Sequence, residues 1–273
     1  MILAACAMLV FSGGVFAQQG GLNLRSQAAF IVDAQHGRIL FDKNADTVMP
    51  IASITKLMTA IVVLDAQLPL AEEILIESAD IDVLKNTRSR LRVGTSLPRQ
   101  EMLRLALMSS ENRAAAALGR TYPGGINAFV AAMNQKAFEL GMGNSYFVDS
   151  TGLNSANVST ARDLAKMVDA ADDYDIIREF STTASHAVAF AEDDRSLQFT
   201  NSNNLVRSGN WDIGVSKTGF LSEAGRCLVM QAKIIGKPVI IVLLDSWGKN
   251  SRIGDANRIK KWMEIGFARK VRG

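Results

Sequence analysis

The 273-residue sequence predicts an α+β fold: an antiparallel sheet drawn from both ends of the chain, flanked by helices, with an all-helical lobe between. Three observations carry this. β-type runs occupy about 28–48, apolar positions recur at helical spacing across about 50–200, and β-type runs return from 211 toward 273. With 48% hydrophobic and 21% charged residues, the chain has the composition of a globular protein with a sizeable core. A net charge of +3, with no long Lys/Arg run and no aromatic platform, argues against nucleic acid as a partner.

The first seventeen residues, Met1 to Ala17, carry no charge and end in Val15-Phe16-Ala17, a small-x-small pattern. An export signal cleaved near Ala17 is expected, leaving 18–273 as one domain without a membrane span. The segment departs from type in lacking a basic start. An uncleaved anchor is the alternative, but Ser12-Gly13-Gly14 stops the apolar run short of the roughly 20 residues a span needs. Leu3-Ala4-Ala5-Cys6 is set aside as a lipidation site because the apolar run continues past the cysteine. Cys227 is then the single cysteine of the exported chain, so no internal disulfide is expected, and its apolar setting reads as core packing.

Ala28 to Val32 and Arg38 to Asp42 flank Asp33-Ala34-Gln35-His36-Gly37, the pattern of a hairpin. Ile54, Leu57, Met58, Ile61 and Val62 then repeat at three and four, as on a helix that follows Pro50. Glu101 to Leu118 and Ile126 to Leu140 are helical, the second stopped by Gly141 and Gly143. Thr160-Ala161-Arg162-Asp163 is a capping box opening a helix over Ala161 to Ala171. Strands are predicted at Asp212 to Thr218, Arg226 to Ile235 and Val239 to Asp245. Val239 to Leu244 is apolar at every position, as in a strand covered on both faces. A helix from Ile253 to Phe267 turns Ile259, Trp262 and Met263 inward.

Three short strings carry chemistry: Ser53-Ile54-Thr55-Lys56, Ser110-Glu111-Asn112 and Lys217-Thr218-Gly219. Ser-x-x-Lys arises about once by chance in a chain this long, and Ser246-Trp247-Gly248-Lys249 is a second match with no downstream partners. Ser-x-Asn recurs at Ser155, Ser202 and Ser208. Lys-Thr-Gly occurs once, against roughly one in twenty expected at average composition. Position and order select the set. Ser53 falls at the first turn of an apolar helix, with Lys56 three residues on and on the same face. A serine hydroxyl needs a base, and Lys56 serves if it is neutral, which burial or a second cation such as Lys217 brings about. The helix start offers N–H groups to an oxyanion. Ser110 and Asn112 interrupt an apolar helical stretch, a costly arrangement unless they face a polar cleft. Ser110 reads as a proton relay to the leaving amine and Asn112 as an amide gripping the substrate backbone, with Glu111 pointing elsewhere. Lys217 and Thr218 end a strand where they can hold a carboxylate, and Gly219 allows close backbone approach.

These strings resemble those of penicillin-binding proteins and class A β-lactamases, a known association of Ser-x-x-Lys, Ser-Asp-Asn and Lys-Thr-Gly, with Glu111 in place of the Asp. Ile51 to Ala60, Leu107 to Ala115, Thr151-Gly152-Leu153 with Ser159 to Leu164, and Lys217-Thr218-Gly219-Phe220 resemble the low-molecular-mass D-alanyl-D-alanine peptidases, endopeptidase branch, over essentially the whole chain after the signal. The resemblance implies a serine β-lactamase/DD-peptidase-like transpeptidase fold, a periplasmic location and a role in cell-wall biogenesis and degradation. It also implies peptidoglycan stem peptides as substrate, β-lactams as covalent inhibitors, no cofactor and no metal. Ser53, Lys56 and Ser110 would be catalytic; Asn112, Lys217, Thr218, Gly219 and Phe220 would bind substrate, with the N–H groups of Ser53 and Phe220 as oxyanion donors.

Carboxypeptidase relatives commonly add a second domain and an amphipathic anchor. Only 54 residues follow Gly219, which favours the endopeptidase over the carboxypeptidase alternative. A class A β-lactamase needs a deacylating Glu where Ser150 stands in Ser150-Thr151-Gly152-Leu153-Asn154, so slow release of bound penicillin is expected. A Ser-His-Asp hydrolase is disfavoured by the lack of Gly-x-Ser-x-Gly and by His36 and His186 sitting in turn or loop sequence. Asp80 and Asp82 read as exposed loop carboxylates, and two histidines without paired spacing do not suggest a metal. A non-catalytic wall-binding relative remains as an alternative of another class. Lys249 and Arg252 remain open as further partners of a substrate carboxylate.

Overall fold

The computed structural model describes residues 22–190 and 196–272, so the expected signal, Met1 to Ala17, lies outside the described residues. β1 (Ser26–Asp33) and β2 (Ile39–Lys43) form the expected hairpin, and the Asp33 carboxylate accepts the backbone N–H groups of Gln35 and His36 at its turn. A short β3 (Met49–Pro50) and a 3-10 turn, Ala52–Ile54, lead into α1 (Thr55–Asp65). The apolar spacing suggests one buried face, yet α1 is buried continuously from Thr55 to Val63 because it runs through the middle of the molecule.

The expected all-helical lobe also contains short strands. β4 (Glu73–Leu75) pairs with β5 (Ser96–Pro98). The single apolar run from Glu101 to Leu118 is split into α2 (Arg99–Met108) and α3 (Asn112–Arg120), because Ser110 adopts φ +63° between them. α4 (Gly125–Glu139) stops before Gly141, which takes φ +66°. β6 (Val158–Ser159) pairs with β3. α5 (Ala161–Asp172) begins on its predicted cap, with Thr160 Oγ1 accepting from Asp163 N at 3.1 Å. α6 (Asp175–Thr182) follows, then a ribbon of β7 (Ser185–Ala189) and β8 (Ser196–Thr200) and the short α7 (Asn204–Ser208). The β7–β8 ribbon has no clear alternation in sequence and is found by structure alone. His186 is on β7, with its Nε2 2.7 Å from Glu101 Oε2, so the loop setting expected for it is corrected.

β9 (Asp212–Leu221), β10 (Gly225–Ile234) and β11 (Lys237–Ser246) return as predicted, and α8 (Ser251–Arg272) closes the chain. The five-stranded sheet is antiparallel in the order β2-β1-β11-β10-β9, so the two ends of the chain meet at the β1–β11 pair and β9 is an edge. Strand alternation sorts the core into two layers. Val239, Ile241 and Leu243 of β11 join Ala29, Ile31, Leu228, Met230 and Ile259 under α8. Ile240, Val242 and Leu244 face the helices with Ala28, Phe30, Cys227 and Val229. Trp262 and Met263 of α8 are half-buried beside the first layer. Among the described residues no helix is long and apolar enough to cross a membrane.

One buried carboxylate ties α8 to the sheet. Asp255 accepts from Arg25 N at 3.0 Å, Ser26 N at 2.8 Å and Ser26 Oγ at 2.6 Å, and Ser26 Oγ also meets Ser246 Oγ at 2.6 Å. Asp255→Ala leaves those buried donors unpaired and is expected to cost about 2–4 kcal/mol of unfolding free energy in a denaturant titration.

Candidate active site

The nucleophile candidate sits on a strained turn. Ala52, immediately before Ser53, has φ +49°, a conformation that costs an L-residue roughly 1–2 kcal/mol and is held by its surroundings. Two glycines do the holding. A Cβ at Gly152 (φ +76°) would overlap the Ala52 carbonyl, so the Thr151–Leu153 loop packs backbone to backbone on this turn. A Cβ at Gly219 would come within 2.9 Å of Ile51 O and 3.2 Å of Ser53 N. Gly219 therefore lets β9 close on the nucleophile's turn, where the sequence reading assigned that approach to substrate. The Asp149 carboxylate shapes the loop from below, accepting from Thr151 N, Gly152 N, Asn154 N and the Asn157 amide.

Lys56 is fully buried, and its Nζ has three neighbours: Ser53 Oγ at 3.0 Å, Asn112 Oδ1 at 2.7 Å and Thr151 O at 2.6 Å. Burial pushes the Lys56 amine down to about 8, against the opposing pull of the Asp149, Glu111 and Asp82 carboxylates. A neutral amine has two N–H groups and one lone pair. Two of its neighbours, the Asn112 and Thr151 oxygens, are carbonyls that can only accept, so they take the two N–H groups. The lone pair is then left for the Ser53 hydroxyl, which donates to it. The arrangement can deprotonate Ser53.

The amide of Asn112 is oriented by residues that the sequence reading missed. Asp82 accepts from the backbone of Leu84, Lys85 and Thr87. Burial works to raise its carboxyl, but these donors outweigh that and hold it below the usual range. Being ionised, Asp82 accepts the Thr87 hydroxyl proton at 2.7 Å, so Thr87 Oγ1 can only accept from Asn112 Nδ2 at 2.9 Å. Oδ1 is thereby turned toward Lys56. The second Nδ2 N–H has no partner among the described residues, so the amide holds Lys56 and still keeps one donor free. Asp80 is corrected, being buried and paired with Arg120 at 2.9 Å.

A second cluster faces the first. Ser110, in the left-handed conformation that ends α2, presents Oγ to Lys217 Nζ at 2.9 Å, and Lys217 also donates to Thr218 O at 3.0 Å. Glu111 points away, as expected: it caps α3 at Arg113 N and accepts from Ser89 Oγ. Burial, then the positive charges of Lys56 and Arg252, push the Lys217 amine well below its ordinary range. The repulsion is mutual, so a proton on either amine opposes a proton on the other.

Thr218 Oγ1 donates to Ser202 Oγ at 2.7 Å. Ser202 belongs to one of the discarded Ser-x-Asn matches, so that string enters the site as a support for Thr218. Of the other discarded strings, Ser246 is bonded to Ser26 and Asn157 anchors the Asp149 loop. Arg252 is largely buried and donates to Gly219 O at 2.8 Å and Cys227 O at 3.2 Å, bracing the end of β9. Phe220 is 55% exposed, with the Arg226 guanidinium stacked 4.4 Å from its ring. Hydrogen bonds thus join Ser53, Lys56 and Asn112 in one cluster and Ser110, Lys217 and Thr218 in another, with Gly219 packed on the Ser53 turn and Phe220 next to it on β9.

Two expectations follow. The neutral fraction of Lys56 grows as pH rises, so the rate of acylation by a penicillin in stopped-flow labelling is expected to rise with pH and reach half its plateau near 8. Thr87→Val removes the acceptor that orients Asn112, and a bond of ~1 kcal/mol predicts an acylation rate about fivefold lower with thermal stability little changed.

Comparison with known proteins accounts for this cleft. The family described as D-alanyl-D-alanine carboxypeptidase, Peptidase_S11, matches residues 15–248. The chain is 49% identical over 243 residues to a D-alanyl-D-alanine endopeptidase of Pseudomonas aeruginosa, covering 89% of this chain and 78% of that protein. It is 47% identical, with the same coverage, to a D-alanyl-D-alanine endopeptidase of Escherichia coli. The crystal structure of the Streptomyces K15 DD-transpeptidase superposes with a TM-score of 0.83 at 31% identity, over 90% of this chain and 98% of that one. The expected transpeptidase-type fold is therefore present, and the chain belongs to the Peptidase_S11 family of serine DD-peptidases, hydrolases of the penicillin-binding fold.

Proposed function

We propose that this protein is an exported, periplasmic DD-endopeptidase that cuts D-Ala-containing peptide cross-links of peptidoglycan through an acyl-enzyme on Ser53. The observation that carries the chemistry is the hydrogen-bond count at Lys56, whose two N–H groups are taken by carbonyls so that its lone pair meets the Ser53 hydroxyl at 3.0 Å. Support for the cross-link as substrate comes from the relatives, since those at 49% and 47% identity are endopeptidases while a Bacillus subtilis carboxypeptidase is 28% identical.

In this mechanism Lys56 takes the Ser53 proton as Oγ bonds to the D-Ala carbonyl carbon. The oxyanion is held by the N–H groups of Ser53 and Phe220, which the contact of Gly219 with the Ser53 turn brings to one rim. Collapse breaks the C–N bond, and the proton held by Lys56 passes through Ser110, which Lys217 backs at 2.9 Å, to the departing amine, leaving Lys56 neutral again. Thr218 and Lys217 face the carboxylate on the leaving side. Water then attacks the ester, neutral Lys56 accepts its proton and returns it to Ser53 Oγ as the C–O bond breaks, and the Ser53 hydroxyl is regenerated. A β-lactam enters the same first step and remains attached as a covalent inhibitor. Met1 to Ala17 supplies the export signal in this reading.

Labelling with a fluorescent penicillin is expected to disappear in Ser53→Ala. Cross-linked sacculi and D-Ala-D-Ala monomers digested side by side are expected to show loss of cross-links ahead of D-Ala release. Preferential D-Ala release would make the protein a carboxypeptidase, and no labelling of the parent chain would make it a binding relative.

A further inference from the structure

Asp149 lies in the loop between α4 and β6, and every hydrogen bond it accepts comes from a neutral donor of that loop. Its Oδ1 accepts from Thr151 N and Gly152 N at 2.6 Å and from the Thr151 hydroxyl at 2.8 Å. Its Oδ2 accepts from Asn154 N at 3.0 Å and Asn157 Nδ2 at 2.9 Å. These five donors fill the roughly four lone-pair sites of a carboxylate, which leaves none for a water. Although it is next to Ser150, Asp149 therefore does not act as a deacylating base.

The loop so held grips the helix of the nucleophile at three points. Thr151 O takes an N–H of Lys56 Nζ at 2.6 Å, and Ser150 O takes the buried Thr59 hydroxyl at 2.7 Å, one turn further along α1. Gly152 presses on the Ala52 carbonyl, which also accepts from Thr55 Oγ1 at 2.8 Å. Thr151 is the direct link, with its N–H on Asp149 and its carbonyl on the base. If that carbonyl swings away, one N–H of the neutral amine loses its acceptor and competes for Ser53 Oγ, so the lone pair is no longer held to the hydroxyl.

The charged groups that face Lys56 come from four segments. The carboxylates of Asp149 in this loop, Glu111 at the α3 cap and Asp82 in the loop before β5 favour its charged form, in that order, and Lys217 on β9 opposes it. Because the donors on Asp149 are all neutral, its charge is not cancelled within the loop and reaches the amine.

We propose that Asp149 is a positioning residue for acyl transfer: it fixes the Thr151 carbonyl on Lys56 and sets a negative charge against that buried amine. The proposal rests on the Ser53–Lys56 reading above and assigns control of the base to a residue outside the three motif strings. Removing the charge leaves burial and Lys217 opposed by two carboxylates in place of three, so the amine becomes neutral at lower pH and is a weaker base once neutral.

The test follows acylation by a fluorescent penicillin across pH in stopped flow, for the parent chain and for Asp149→Asn, Asp149→Ser and Asp149→Glu, with thermal unfolding as the check that each is folded. Asp149→Asn is expected to lower the plateau rate about tenfold and to move the half-point of the profile down by about half a pH unit or more. Asp149→Ser is a second neutral variant whose hydroxyl keeps an acceptor for the Thr151 and Gly152 N–H groups, and its half-point is expected to move the same way. Asp149→Glu keeps the charge on a longer side chain, so its plateau is expected to fall while its half-point stays with the parent. A purely structural loop acid lowers the plateaus and moves no half-point. A folded neutral variant with the half-point or the plateau of the parent therefore overturns the proposal, as does a shifted half-point in Asp149→Glu. A parent chain that takes no label overturns the Ser53–Lys56 reading and this proposal with it, whereas a labelled parent whose neutral variants keep its half-point overturns this proposal alone.

Discussion

Everything in the cleft depends on keeping one lysine amine out of water. An ammonium ion is among the most expensive groups to bury, and Lys56 is fully buried in the first turn of a mostly apolar helix. The cost is converted into basicity at the working pH. Desolvation brings the amine down to about 8, while three carboxylates at a distance stop it from falling further. The three groups that touch Nζ come from a 3-10 turn, the start of α3 and the loop after α4, so the base exists only when all three segments are docked. This couples folding of the helical lobe to competence of the site.

Close backbone contact makes that docking possible. Gly152 and Gly219 are the points at which the loop and the edge strand press on the turn that carries Ser53, and any side chain at either would meet backbone. Ala52 and Ser110 sit in left-handed conformations on either side of the cleft. Strain at these two residues is retained because it aims the Ser53 and Ser110 hydroxyls at the two amines, and the packed surroundings over-determine it. The sheet contributes rigidity. β9 is the edge, and the segments around Ser181 and Ser202 hold it through Ser216 and Thr218.

Legibility of the site in the sequence followed its local character. Ser53 with Lys56 is an i, i+3 pair on a helix, and such a pair can be read from spacing alone. Val239 to Leu244 could be read as a doubly covered strand because no polar residue interrupts it, and its alternate residues do divide between the two core layers. Asp82 and Thr87 could not be read in this way. Their function is to orient Asn112 across 25 residues of chain, through hydrogen bonds between loops that carry no periodicity. The direction of the Asn112 amide was illegible for the same reason, since an amide can face either way and only its neighbours decide. The break between α2 and α3 was hidden because Ser110 is not a glycine, and its positive φ is imposed by tertiary contacts.

The sequence by itself determined which chemistry is present: a serine, two lysines and a second serine in a fixed order, placed at a helix start, a helix break and a strand end. It also determined that the sheet takes strands from both ends of the chain, because only those segments carry β-type apolar runs. Tertiary structure decided the protonation and direction of that chemistry. Whether Lys56 is a solvated cation or a base depends on the depth of its burial and on which oxygens claim its protons, and both are set by segments distant in sequence. Burial and hydrogen-bond geometry are properties of the assembled core, and a pattern along the chain does not carry them.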